Sequence, residues 1–178
     1  ARGVCVCGLS VISNWPETDS GISRHRAGCH SYGPELRQRC ERKTMTKIAL
    51  AIHGGCGVMA KDDLSEAEWA AARVDLHRSL QAGWAVLQSG GSALDAVQAA
   101  VVVMEDSPHF NAGHGAALNT DGEHELDASI MDGSNLETGA VTLARHIRNP
   151  VKAARRVMEK GDAVLLGGPA ADAFAKAE

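Results

Sequence analysis

The sequence predicts a layered α/β or α+β protein, and three observations lead there. Along residues 45–178 apolar residues recur in two modes, at steps of three and four in some segments and in alternation or short runs in others. Read in order, these segments give β, α, α, β, β, α, β, α, with no internal repeat and no low-complexity tract. Hydrophobic residues make up 44% and charged residues 22% of the 178, the balance of a globular chain long enough for one domain with a proper core.

The run KIALAI, residues 47–52, ends at His53, Gly54 and Gly55 and reads as a buried strand entering a glycine turn. Ser65 followed three residues on by Glu68 is a capping box, in which hydroxyl and carboxylate each satisfy a backbone N–H left open at a helix start. Trp69, Ala72, Leu76, Leu80, Gly83 and Leu87 then give one apolar face, which Gly90 and Gly91 end. Ser92, with Asp95 three residues beyond it, opens a second helix with the stripe Leu94, Val97, Val101 and Met104, closed by Pro108.

HELDASIM, residues 124–131, sets Leu126, Ala128 and Ile130 against Asp127, Ser129 and Met131, the alternation of a strand with one face inward. GAVTLA from Gly139 is its partner across the DGSNLET turn, giving a hairpin. Asn149 and Pro150 are a cap and first-turn pair for a third helix with the inner face Val151, Ala154, Val157 and Met158, ended by Gly161. AVLLGG reads as another strand, and PAADAFAKAE begins a last helix.

Residues 1–44 differ in kind. They hold four of the five cysteines (Cys5, Cys7, Cys29 and Cys40), show no sustained period, and are interrupted by turn formers such as Pro16, Gly21, Gly33 and Pro34. Their cysteine spacing matches no paired C-x-x-C framework, and the broken apolar run from Val4 to Ile12 makes no convincing export signal. We read them as an extraneous or disordered N-terminal extension, with Met45 as the natural start and 45–178 as the folded domain. A reducing compartment, the cytosol, follows. No run of 18 apolar residues predicts a membrane span, and a net charge of −4 gives no reason to expect nucleic acid.

Chemistry read from residue types alone stays incomplete. His109, His114, His124, Glu125 and Asp127 include suitable metal ligands, but no H-x-x-x-H or H-E-x-x-H pair sits on a helix, and loop histidines are the plainer reading. The HGGCG turn could cradle a phosphate, yet the nucleotide-binding glycine patterns are absent, and close backbone packing accounts for Gly54 and Gly55 as well. Cys56 near His53 invites a nucleophile, although a lone cysteine serves equally as a small apolar group. There is no G-x-S-x-G.

Taken together, IHGGCG (52–57), ALDAV (93–97), FNAGHGA (110–116), ELDASIMDG (125–133), GAV (139–141) and RNPVKAAR (148–155) closely resemble the plant-type L-asparaginase and isoaspartyl aminopeptidase family, in that family's order. The resemblance implies an N-terminal-nucleophile hydrolase, an αββα sandwich made by α and β subunits after a precursor cuts itself before a threonine. That threonine's hydroxyl attacks the side-chain amide of L-asparagine or the β-peptide bond of an isoaspartyl dipeptide, with its own α-amine, whose pKa is near 8, as base. No cofactor serves the chemistry. A β subunit carrying the threonine, an (αβ)2 heterotetramer and small-molecule substrates are the implied partners.

The family cleaves at Gly-Thr, and none of the six threonines here follows a glycine, so we expect only the α-subunit portion, inactive alone and with no catalytic residue of its own. By the same resemblance a loop holds a structural sodium ion through main-chain carbonyls of Met104, Glu105, Ser107, Phe110, Ala112 and His114, the oxygen donors a hard cation accepts. Asn111, with His53, Gly54 and Gly55, would support the self-cleavage site, although Asn111 could equally serve as a loop-closing hydrogen-bond group. Alternatives are a decayed or truncated relative acting only as a binding or structural fragment, and the α portion of a glycosylasparaginase.

Overall fold

The computed structural model describes residues 10–13, 48–55 and 64–178, and the chain sorts into two compact units, Leu50–Glu178 with Ala1–Val11, and Ile12–Ala49. Most of residues 1–44, Met45 and all five cysteines lie outside the described residues, as does the reading of Cys56 as nucleophile or core group. Within the segment read as an extension, residues 10–13 are a strand, β1 (Ser10–Ser13), which forms a two-stranded sheet with β2 (Ile48–Ala51). The run read as a buried strand is not buried: of the four residues of β2 only Leu50 is half-covered. An apolar run records what a strand can pack against, and among the described residues little covers this one.

Two helices follow, α1 (Glu66–Gln88) and α2 (Ala93–Asp106). Both start as the serines dictate: Ser65 and Glu68 form the reciprocal capping box, and Ser92 Oγ accepts from the Asp95 N–H at 3.0 Å. They lie against each other because small residues occupy the crossing. Ser79 Oγ donates to the Ala100 carbonyl at 2.8 Å, and a Cβ on Gly83 would stand 2.8 Å from the Ala96 carbonyl oxygen. From α2, Ala96, Val97, Ala100, Val101 and Met104 are buried.

The second layer is the sheet β3 (Leu126–Met131), β4 (Thr138–Ala144) and β5 (Leu165–Gly167), with α3 (Pro150–Lys160) bridging β4 to the parallel β5 and α4 (Gly168–Ala177) after it. A helix in that position is what a parallel pair requires, since its strands cannot be joined by a tight turn. The hairpin turn is held by Asp132, whose Oδ1 accepts from Ser134 N–H at 2.8 Å. A bulge in β4 sets Thr142 and Leu143 together opposite Asp127, which accepts from the Thr142 hydroxyl and the Leu143 N–H, and Leu143 takes a left-handed φ of 53° there.

Leu126, Ile130, Val141, Val151, Ala154, Val157 and Met158 close the core between sheet and α3. Gly139 explains its own place in the GAV motif: a Cβ there would overlap the Ala154 carbonyl and the Met158 N–H of α3. Among the described residues little covers the opposite sheet face. Ser129, Met131 and Leu165 point that way, and Met131 and Leu165 are 56% and 55% exposed, a face that one layer of helices leaves uncovered. Among the described residues no helix is long and apolar enough to cross a membrane.

One expected cap is replaced. Asn149 makes no side-chain cap to the backbone of its own helix: its Oδ1 accepts from Lys152 Nζ at 3.1 Å, and its Nδ2 donates to Asp106 Oδ1 at 3.2 Å. The carboxylate of Glu105 takes over the task from α2, accepting the Val151 N–H at 2.9 Å. A negative oxygen at a helix N-terminus is favourable whichever element supplies it.

Candidate functional site

The turn after β2 and the loop after α2 meet at one place. A Cβ built on Gly54 would stand 3.4 Å from both Leu76 Cδ1 of α1 and Phe110 Cε1, so the turn runs within van der Waals reach of the buried Phe110 ring. Gly55, at φ 133°, takes a conformation that side chains resist, and its N–H donates to His53 Nδ1 at 3.3 Å, which makes His53 a turn-forming group here. The structure therefore brings Gly54 of the HGG turn against Phe110 of FNAG, with exposed Asn111 beside it.

The loop is compact and self-bonded. Ala112 N–H donates to the Phe110 carbonyl at 2.8 Å, and Gly113 to Gly115 form a short 3-10 turn. Gly113, at φ 50°, sits where a Cβ would strike the Glu105 carbonyl, and a Cβ on Gly115 would strike the Phe110 carbonyl. Asn111 Oδ1 accepts from the Ala117 N–H at 2.8 Å, and its Nδ2 makes no hydrogen bond with the described residues. So the amide is anchored by its oxygen and keeps two donors available.

The six carbonyls expected to hold sodium all belong to this compact stretch, and the Glu105 carbonyl lies where a Gly113 side chain would be. Those of Met104, Phe110 and Ala112 each accept one backbone N–H, from Ser107, Ala112 and Gly115, which leaves each a second lone pair. Neutral main-chain oxygens with a lone pair left over are donors of the kind a hard cation accepts. Among the described residues no group of three or more His, Cys, Asp or Glu is placed to hold a metal through side chains. The loop histidines do other things: His109 Nδ1 meets Asp75 Oδ2 at 2.8 Å, while His114 and His124 line a cleft of about 620 Å³ with His146, Arg145 and Arg148. Arg145 is paired with Glu123 and Glu125, and Arg148 with Asp106.

Two side chains that sequence reasoning passed over organise this loop. Glu105 is 3% exposed, and burial pushes its carboxyl up to about 7 against the opposing pull of the Val151 N–H and Asn149; its Oε2 has no partner among the described residues. Asp75 of α1 accepts from Ser107 and His109, and those bonds hold its carboxyl below the usual range. Both left a trace in the sequence. Glu105 continues the row Val97, Val101 at four-residue spacing, and Asp75 falls three residues after Ala72 on the apolar face of α1.

Comparison with known proteins supports the motifs. Residues 46–178 match the family model described as asparaginase. The chain is 48% identical over 132 residues to an isoaspartyl peptidase/L-asparaginase of Xenopus laevis, covering 74% of this chain and 41% of that protein. It is 45% identical over 131 residues to an isoaspartyl peptidase of Salmonella typhimurium, 74% of this chain and 42% of that one. For the human isoaspartyl peptidase/L-asparaginase the figures are 45% over 133 residues, 75% and 42%. The chain thus spans about two fifths of the length of the curated relatives it matches.

Proposed function

The chain belongs to the asparaginase family, and from that premise we propose that residues 46–178 form the α-subunit portion of an isoaspartyl peptidase/L-asparaginase. In this reading the nucleophile is the hydroxyl of an amino-terminal threonine carried by a β subunit, since no threonine in these 178 residues follows a glycine. The reaction is hydrolysis of the side-chain amide of L-asparagine, or of the β-peptide bond of an isoaspartyl dipeptide. The threonine's α-amine, partly neutral near pH 8, takes the hydroxyl proton. The α portion by itself is inactive, and the working particle is an (αβ)2 assembly.

What this chain supplies is position. The carrying observation is the meeting of the His53, Gly54, Gly55 turn with the Phe110 ring, which sets the Asn111 amide at an exposed corner with its oxygen anchored and its nitrogen available. Such an amide can donate to a peptide carbonyl brought beside it, as self-cleavage before a threonine requires. The exposed face of the β3–β4–β5 sheet supports the rest of the reading, because a second sheet laid on it gives the αββα sandwich. The carbonyls of Met104, Glu105, Ser107, Phe110, Ala112 and His114 would hold a sodium ion. When bound, the ion would offset the carbonyl dipoles and stiffen the loop, and it would take no part in bond making.

The test is Asn111→Ala in the complete precursor. Self-cleavage slows by about a hundredfold, the scale on which loss of one oriented donor acts, while the circular dichroism spectrum is unchanged. Appearance of both subunits on a denaturing gel at the wild-type rate removes Asn111 from the site.

A further inference from the structure

We propose that Asp75, on α1, is a positioning residue for the Phe110 and Asn111 corner, holding Ser107 and His109 so that the loop takes its reference from the helix. The inference rests on the reading of Asn111 given above. Asp75 lies 32 and 34 residues from the two groups it binds, and its side chain is 14% exposed. Ser107 is the residue at which α2 ends, with its N–H on the Met104 carbonyl at 3.2 Å. Beyond it the chain has no helical bonds to fix its direction, so the path to Phe110 depends on side chains.

The proton count fixes how the cluster works. An ionised carboxylate only accepts, so Ser107 Oγ, 2.8 Å from Asp75 Oδ2, gives it its single proton. The hydroxyl is then free to accept the His109 N–H at 3.1 Å. His109 Nδ1, also 2.8 Å from Asp75 Oδ2, carries a proton there, and its 3.3 Å approach to Ser107 Oγ adds no further bond. Arg78 occupies the other oxygen at 3.0 Å.

One carboxylate thus fixes a hydroxyl, a ring and, through the hydroxyl, a backbone N–H immediately before Phe110. The next residue of α1, Leu76, abuts the same Gly54 that Phe110 abuts. Helix α1 therefore sets the corner twice, by bonds from Asp75 and by packing at Leu76. Without Asp75 a hydroxyl of a residue 5% exposed loses its acceptor and the loop moves to find another.

The experiment is amide hydrogen exchange by NMR on the 178-residue chain, comparing wild type with Asp75→Asn and Asp75→Ala. The reporter is the Ala117 N–H, bonded to Asn111 Oδ1, and the control is the Ala140 N–H, bonded to the Val164 carbonyl at 2.8 Å. Asp75→Ala raises Ala117 exchange by about tenfold, the effect of losing about one net hydrogen bond, with Ala140 unchanged. Asp75→Asn, which keeps one acceptor of the same shape, restores part of the protection. Unchanged Ala117 exchange, or an equal rise at both amides, overturns the proposal. Self-cleavage of the complete precursor is followed in parallel. If Asp75→Ala loosens Ala117 and leaves cleavage untouched, the positioning stands and the role given to Asn111 fails.

Discussion

Replacing Glu105 by glutamine should remove a loss of stability that the wild type suffers as pH rises from 4.5 to about 7. The buried carboxyl is pushed from 4.5 up to about 7 by burial, so the folded chain binds a proton at Glu105 that the unfolded chain has released. Stability from this group is present in full below 4.5 and is lost as pH rises through about 7. At about 1.4 kcal/mol per pH unit, the interval from 4.5 to about 7 corresponds to about 3 kcal/mol. Glutamine keeps an oxygen for the Val151 N–H and cannot ionise. The assay is urea unfolding of wild type and Glu105→Gln at several values between about pH 5 and pH 8, compared as a difference so that titrating histidines common to both cancel. The variant gains about 3 kcal/mol relative to wild type across that window. Parallel stability curves would refute the reasoning, because they would mean that Glu105 has the same proton affinity folded and unfolded.

Three other outcomes follow from the packing and the loop. Gly139→Ala, whose Cβ would overlap the α3 backbone at Ala154 and Met158, lowers stability by about 3 kcal/mol and reduces the denaturant midpoint. Ser92→Ala removes the oxygen that accepts the Asp95 N–H and costs about 1 kcal/mol in the same measurement, whereas Ser92→Asp costs almost nothing. Exchanging sodium for a large organic cation at constant ionic strength lowers the melting temperature, and a melting curve indifferent to the cation removes the ion from the account.

The sequence was most readable where a rule acts locally. Both serine caps, the glycine stop at Gly161 and the alternation of β3 need only neighbouring residues, and the structure has all of them. Tertiary context was harder to read. KIALAI is apolar whether or not anything lies over it, so its exposure was not legible. Asn149 has the right residue type for a cap, but a carboxylate from α2 reaches the same N-terminus, and nothing within residues 148–152 announces that competitor. For the candidate site the motifs marked HGG and FNAG separately, and their meeting at Gly54 and Phe110 needs the fold. Asp75 and Glu105 were visible only as charges on apolar rows, a pattern that also fits an ordinary solvated edge.

The proposed function assigns positioning to these residues and the attacking hydroxyl to another segment. Ammonia release from asparagine, measured with the purified 178-residue chain and with a polypeptide that carries the same residues on through a Gly-Thr step, tests it most directly. No release above background is expected from the first, and steady release is expected from the second once it has cut itself. Steady release from the 178 residues alone would contradict the proposed function, since a nucleophile would then have to lie among them.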